Sequence, residues 1–311
     1  GYYGSEIIDI AKIIKDKYQD TKLNEDLEFF KKIGVDFLIN IIKKDLSDFR
    51  VNFDVWTSEK AIRAKGRIEE SLDILKDKGL TYEKDDALWL KTTEYGDDKD
   101  RVLIKSDNSY TYLVPDIAYH LDKFDRGYDE LVDVFGSDHH GYVSRLKASI
   151  EALGYDKDKL NVKLLQMVRL LRDGQIVKMS KRTGNNVTIS ELIEEIGCDA
   201  ARYFFGARSL DCQMDLDISL AIKKSNENPL FYIQYAHARI CSILNDAKNK
   251  NIELNTNIED IDDIDSKNIL IKVYEFTDVV ENAAIKMEPH LIANYVYELA
   301  SMFHNYYSKH K

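Results

Sequence analysis

Residues 131–135, Leu-Val-Asp-Val-Phe, form a short, near-continuous apolar run that ends at Gly136. A run of this kind reads as a buried parallel strand. A helical pattern follows over residues 142–153 and stops at Gly154, and residues 162–168 read as a second strand. Strand, helix, strand is the unit that builds a doubly wound sheet, and few folds accommodate it. The turn Gly136-Ser137-Asp138-His139-His140-Gly141 then lies at the carboxyl end of a strand, where such sheets bind nucleotides. Gly136 permits close backbone approach, Asp138 can accept from ribose hydroxyls, and His139 or His140 can stack on adenine or donate to it. The plainer reading is that a His-His pair at a helix start caps or packs.

The flanks add two further layers. Residues 5–18 and 24–48 have helical spacing, residues 51–56 alternate as a short strand, and Ser58 can cap a helix reaching Lys78, stopped by Gly79. Residues 80–92, 101–105 and 110–114 read as strands of a small antiparallel insertion, turned at Gly96-Asp97-Asp98 and Asp107-Asn108-Ser109. Pro115 fits the first turn of a helix running to Phe124. After Val187 the pattern is helical: residues 190–196 starting at Ser190, then 199–207, 218–224, 229–248, 267–286 and 289–307. The expected fold is therefore an α/β doubly wound, Rossmann-like nucleotide-binding domain with a small antiparallel insertion, followed by an all-α helical bundle. Its expected divisions are 1–224 (about 20–110 insertion, 111–190 second half of the nucleotide fold, 190–224 connecting helices) and 225–311, the bundle.

Composition excludes some classes. The net charge of −11 gives no average field toward nucleic acid, so RNA contact requires local basic faces. Cys198, Cys212 and Cys241 are scattered without a Cys-x-x-Cys pair, which suits neither a disulfide framework nor zinc and agrees with a reducing cytoplasm. No long apolar stretch suggests a membrane span. The start, Gly1-Tyr2-Tyr3-Gly4, is neither a signal peptide nor an initiator Met and reads as the interior of a longer protein.

Three constellations carry chemistry. Lys178-Met179-Ser180-Lys181-Arg182-Thr183-Gly184-Asn185 follows the turn Arg172-Asp173-Gly174-Gln175 and precedes a helix. Such a loop is either a solvated basic turn or a cover for a polyphosphate, its ammonium groups following charge as it develops. Tyr112 and Asp116 are four apart across a strand-to-helix junction and can face one pocket, where phenol and carboxylate suit a guanidinium. Alternatively, Asp116 only favours the helix N-terminus. Asn228-Pro229 opens a helix whose Ile233, Ala236 and Ile240 have core spacing. The same helix bears Tyr232, Gln234, Tyr235, His237 and Arg239, which suit stacking and phosphate contact with unpaired RNA.

Lys178-Met179-Ser180-Lys181 resembles the second signature of class I aminoacyl-tRNA synthetases, and the Gly136 turn resembles their adenosine-binding turn. Together with residues 53–56, 96–101, 110–120, 199–205 and 225–241, and above all Gln234-Tyr235-Ala236-His237-Ala238-Arg239, the chain resembles bacterial-type arginyl-tRNA synthetases. The resemblance covers residues 1 to about 245. It implies ATP-dependent attachment of arginine to its tRNA through an arginyl-adenylate, with Lys178 and Lys181 stabilising the transition state. It assigns ATP to Gly136, Asp138, His139, His140, Met179 and Ser180, arginine to Tyr112 and Asp116, and tRNA to Tyr232, Gln234, Tyr235, His237 and Arg239. Mg2+ accompanies ATP; no zinc is expected; the protein is expected to be a cytoplasmic monomer. One departure stands out: the class's His-x-Gly-His segment is absent, and His139-His140-Gly141 does not replace it. In the family that segment precedes the part matched by Gly1, so the chain alone is expected to be inactive and its helical domain shortened. A cysteinyl-type synthetase, which would need zinc ligands near its substrate, and a non-catalytic RNA-binding paralogue are the alternatives.

Overall fold

A computed structural model describes residues 5–18, 27–177, 187–253, 257 and 261–310. The chain forms two compact units, one of residues 1–52, 168–209 and 214–311, the other of residues 53–167 and 210–213.

The first unit begins with α1 (Ser5–Tyr18) and α2 (Leu27–Asp48), which pack on each other. Residues 51–56 do not form the expected strand. They have no partner strand among the described residues, and Phe53, Val55 and Trp56 stay 57%, 56% and 40% exposed. Alternation in sequence makes a strand only where an edge is available to pair with it.

The second unit holds the strand–helix–strand motif. The helix expected from Ser58 to Lys78 is two helices, α3 (Glu59–Ala64) and α4 (Arg67–Asp77), because Gly66 takes a left-handed conformation (φ 72°) between them. The Ser58 side chain accepts no capping hydrogen bond. The apolar pattern runs unbroken across the break because both helices bury it in one core, through Ile62, Ile68, Leu72 and Leu75. The strand expected over residues 80–92 is a hairpin, β1 (Thr81–Lys84) and β2 (Ala87–Leu90), turned at Asp85-Asp86. Both turn residues have positive φ (53° and 55°), which aspartate tolerates better than most residues, so no glycine marked the turn. Strand β3 (Arg101–Ile104) completes the antiparallel sheet in the order β1-β2-β3. Residues 110–114 add only one bridge, Tyr110 to Ile104, before α5 (Leu113–Asp125) begins two residues ahead of Pro115.

Strand β4 (Leu131–Gly136), helix α6 (His140–Leu153) and strand β5 (Leu160–Leu165) follow, and β4 pairs with β5 in parallel register from Leu131↔Leu160 to Gly136↔Leu165. Gly154 ends α6 in a left-handed conformation (φ 104°). The core lies between α4, α5, α6 and the sheets, with Leu75, Leu90, Leu103, Leu146 and Leu160 completely buried. Burial of β4 is one-sided rather than complete: Leu131 and Asp133 are covered, whereas Val132 and Val134 are 45% and 60% exposed.

The strand expected over residues 162–168 ends at Leu165. Gln166 donates its N–H to the Leu210 carbonyl (2.9 Å), and β6 (Val168–Arg172) belongs to another sheet in the first unit. There β6 pairs with β7 (Gln175–Ile176) through the expected turn at Asp173-Gly174, both residues having positive φ (51° and 74°). Helix α7 (Ile189–Ile196) is capped by Thr188 rather than Ser190. The Thr188 hydroxyl accepts from the Glu191 N–H, and the Glu191 carboxylate accepts from the Thr188 N–H, a reciprocal box that requires a side-chain acceptor three residues after the cap. Helix α8 (Cys198–Gly206), strand β8 (Met214–Asp217), parallel to β6, and helix α9 (Ile218–Ile222) enclose a core of Leu170, Leu192, Ile196, Leu216 and Ile218.

Asn228 opens α10 (Pro229–Asn249): its side chain accepts from Leu230 and Phe231 and donates to the Ala221 and Lys223 carbonyls. The helix expected over residues 267–286 is two, α11 (Ile264–Tyr274) and α12 (Phe276–Lys286), which meet at Glu275. Helix α13 (His290–Lys309) packs along α10, α11 and α12. No helix among the described residues is long and apolar enough to cross a membrane.

Candidate active site

Helix α5 carries Asp116 one turn after Tyr112. Its Ile117 and Leu121 face the core, and the same spacing turns Asp116 to the helix flank. That flank opens on a cavity of about 660 Å³, lined by Glu59, Arg101, Tyr112, Asp116, Phe135, His139, Tyr142 and Arg145 among others, a size typical of small-molecule sites. Tyr112 stands at the rim, 89% exposed. The Tyr142 hydroxyl donates to Asp116 Oδ2 at 2.5 Å. Burial pushes the Asp116 carboxyl above its usual range; the Tyr142 hydrogen bond and the nearby His120 oppose this without cancelling it. Burial, reinforced by Asp116, also raises the Tyr142 phenol, so at neutral pH it remains a donor. The pocket therefore offers a carboxylate matched to a neutral donor rather than to a cation, an arrangement that favours a cationic ligand.

Two networks brace the wall. Below Asp116, His120 sets Nδ1 2.7 Å from the Asp116 carbonyl and Nε2 2.8 Å from Asp133 Oδ2, and Lys123 donates to Asp133 Oδ1 at 2.8 Å. Asp133 sits on β4, so this cluster bolts α5 to the parallel sheet. Burial alone would raise the Asp133 carboxyl; His120 and Lys123 together hold it down to about 2. An acid depressed in the folded state contributes stability above its unfolded value and loses that contribution as pH falls through its folded value. Asp133→Asn should therefore cost about 2 kcal/mol at pH 7 and almost nothing near pH 2. Urea denaturation at the two pH values measures it; equal losses at both would contradict the assignment. At the opposite wall, Arg101 donates Nε and Nη2 to the Asp97 carboxylate (2.7 and 2.8 Å), reaches Asp98, and shares Asp97 with Ser144 of α6. Burial would raise Asp97, but Arg101 and the Asp98 N–H hold it well below the usual carboxylate range.

The nucleotide-turn residues separate. His139 lines the cavity, with its ring 5.8 Å from that of Phe135. Gly136 ends β4, and a Cβ there would lie 2.5 Å from Asp138 Oδ1, so the close approach that glycine permits is that of the Asp138 side chain. Asp138 and His140 are exposed and lie outside the cavity wall. Lys178, Met179, Ser180 and Lys181 lie outside the described residues. Glu59, Arg101, Tyr142 and Arg145 escaped the sequence reading as pocket residues. A signal existed for Arg145, three positions after Tyr142 on one helical face; Glu59 and Arg101 reach the pocket only through tertiary packing.

On α10 the expected RNA-contacting side chains divide between packing and exposure. Tyr232 packs tilted against His304 of α13 and Tyr235 stacks on it (centroids 4.3 and 5.7 Å apart), and the Arg239 guanidinium lies 4.5 Å from the rings of both Tyr235 and Tyr307. Gln234, Tyr235 and His237 are exposed. Lys224, Asn226, Tyr232, Tyr235, Arg239 and His304 share a cleft of about 810 Å³.

Residues 8–206 match the family "tRNA synthetases class I (R), catalytic domain", and residues 233–311 match "DALR anticodon binding domain". The arginyl-tRNA synthetase structure from Campylobacter jejuni superimposes with a TM-score of 0.89 at 34% identity, over 100% of this chain and 68% of that one. The chain belongs to the arginyl-tRNA synthetase family. Arginine–tRNA ligase 1 of Halalkalibacterium halodurans is 51% identical over 314 residues, 99% of this chain and 56% of that protein. The chain thus spans a little over half the length of the curated synthetases it matches. The Thermus thermophilus arginyl-tRNA synthetase shares the fold, with a TM-score of 0.72 at 18% identity over 96% of this chain and 60% of that one. As in these synthetases, a class I Rossmann-like catalytic domain is joined to a helical anticodon-binding domain, the fold class the sequence predicts. The membership removes the cysteinyl alternative.

Proposed function

We propose that the protein carrying this chain attaches arginine to its tRNA, consuming ATP and passing through an arginyl-adenylate. One observation carries the reading: a half-buried Asp116 whose carboxylate, among the described residues, is hydrogen-bonded by neutral Tyr142 alone, set one turn after Tyr112 in a cavity of small-molecule size. A planar cation with several donors fits that carboxylate better than a neutral side chain does.

In this reading Tyr112 and Asp116 hold the guanidinium, and Gly136, Asp138, His139, His140, Met179 and Ser180 surround ATP, with Mg2+ arriving on its phosphates. Lys178 and Lys181 stabilise charge at the α-phosphate and on leaving pyrophosphate. Residues 1–224 act as the catalytic domain and 225–311 as the anticodon-binding domain. Tyr232, Gln234, Tyr235, His237 and Arg239 supply tRNA contacts; the exposure of Gln234, Tyr235 and His237 supports this, while Tyr232 and Arg239 also hold α10 to α13. The protein works in the cytoplasm, as a monomer.

The test is to express the full reading frame that encodes these residues and measure which amino acid it attaches to total tRNA. Arginine charging is expected. Charging with another amino acid overturns the Asp116 assignment, and tRNA binding without any charging returns the non-catalytic paralogue.

A further inference from the structure

The cavity above Asp116 has a second polar end. Two arginines line it, Arg101 and Arg145. Arg101 is engaged: its guanidinium is held by Asp97 and Asp98. Glu59, the other lining carboxylate, is taken by Arg63 at 2.9 and 2.6 Å. Arg145 has no carboxylate partner among the described residues. Its guanidinium lies over the Tyr142 ring, 5.2 Å from the centroid, and its Nε is buried with no hydrogen-bond partner. A buried unpaired donor is unfavourable, and a charged one in an apolar setting more so, unless a ligand completes it. Tyr142 thus separates the pocket's two uncompensated charges, with Asp116 at its hydroxyl and Arg145 on its face.

From this we infer that Arg145 is the anion-binding residue of the pocket, receiving anionic oxygens on the far side of Tyr142 from the cation that Asp116 holds. The inference rests on the guanidinium reading of Asp116. Two groups could supply those oxygens, the arginine carboxylate or a phosphate of ATP; both suit a guanidinium, and the two meet where the adenylate would form.

Calorimetry on the protein from the full reading frame separates them, using arginine, agmatine (arginine without its carboxylate) and ATP as three ligands. Arg145→Met should weaken arginine about tenfold to hundredfold and leave agmatine unchanged if the carboxylate is the anion. If it is a phosphate, ATP weakens by a similar factor and both amines are unaffected. Arg145→Gln, which keeps donors but not charge, carries the same expectations, so the result does not depend on one variant folding; thermal melts check both. Unchanged affinity for all three ligands overturns the inference. So does parallel weakening of arginine and agmatine, which would mean that Arg145 acts only by propping Tyr142. If the unsubstituted protein binds neither arginine nor agmatine, the Asp116 reading has failed instead, and the ATP arm decides Arg145 by itself.

Discussion

Asp116→Asn should raise the KM for arginine by about 10²- to 10³-fold, the effect of removing one member of a buried hydrogen-bonded charge pair. Asparagine keeps the shape and can still accept from Tyr142, so the wall formed by α5 and α6 should survive. What disappears is the charge that a guanidinium requires. The apo protein should even gain slightly in thermal stability. Asp116 is an acid whose folded value lies above its unfolded one, so ionising it opposes folding as pH rises, and the amide removes that opposition. The pH dependence separates charge from shape. Arginine needs the ionised carboxylate, so affinity should fall about tenfold per pH unit once pH drops below the Asp116 value. Because burial raises that value, the decline begins at higher pH than an exposed aspartate would give. The asparagine variant should show no such limb. An asparagine variant with unaltered arginine KM would exclude Asp116 as the guanidinium partner.

The second large effect belongs to the basic segment, residues 178–185, that follows the β6–β7 hairpin in sequence. Lys178→Ala should lower kcat about 10²- to 10³-fold, measured as arginine-dependent exchange of pyrophosphate into ATP, with little change in the KM for arginine. An ammonium that meets charge only as it develops on the phosphates contributes to the transition state and not to ground-state binding. Its removal therefore lowers kcat and kcat/KM together. Lys181→Ala should act in the same direction, and the double variant should lose less than the product of the two, since both lysines serve one group. A Lys178→Ala protein that exchanges pyrophosphate at the normal rate would return the loop to the solvated-turn reading.

Several elements were legible because their causes are local. The Asp173-Gly174 turn, the Asn228-Pro229 helix start, the Gly154 helix stop and the parallel strand at residues 131–136 each depend on residues within a few positions of one another. The misreadings share another cause. The Asp85-Asp86 turn is set by two left-handed aspartates that carry no glycine signal. The break at Gly66 is invisible in the apolar spacing because α3 and α4 feed one core. Residues 51–56 alternate correctly but meet no strand edge.

The candidate site divides in the same way. Tyr112 and Asp116 follow from their spacing at a helix start, and both reach one cavity. The sequence determined, by itself, the family and the strand–helix–strand unit, because each is written in contiguous motifs. Only the tertiary structure decided that Tyr142 donates to Asp116, that Asp97 immobilises Arg101, that Arg145 stands without a carboxylate among the described residues, and that Tyr232 and Arg239 are shared with α13. The Tyr142–Asp116 and α10–α13 pairings join residues far apart in the chain, and Asp97 meets Arg101, four positions on, only through the fold of the segment between them. Which charge goes unpaired depends on which side chains packing brings within hydrogen-bond reach, and no local pattern encodes that.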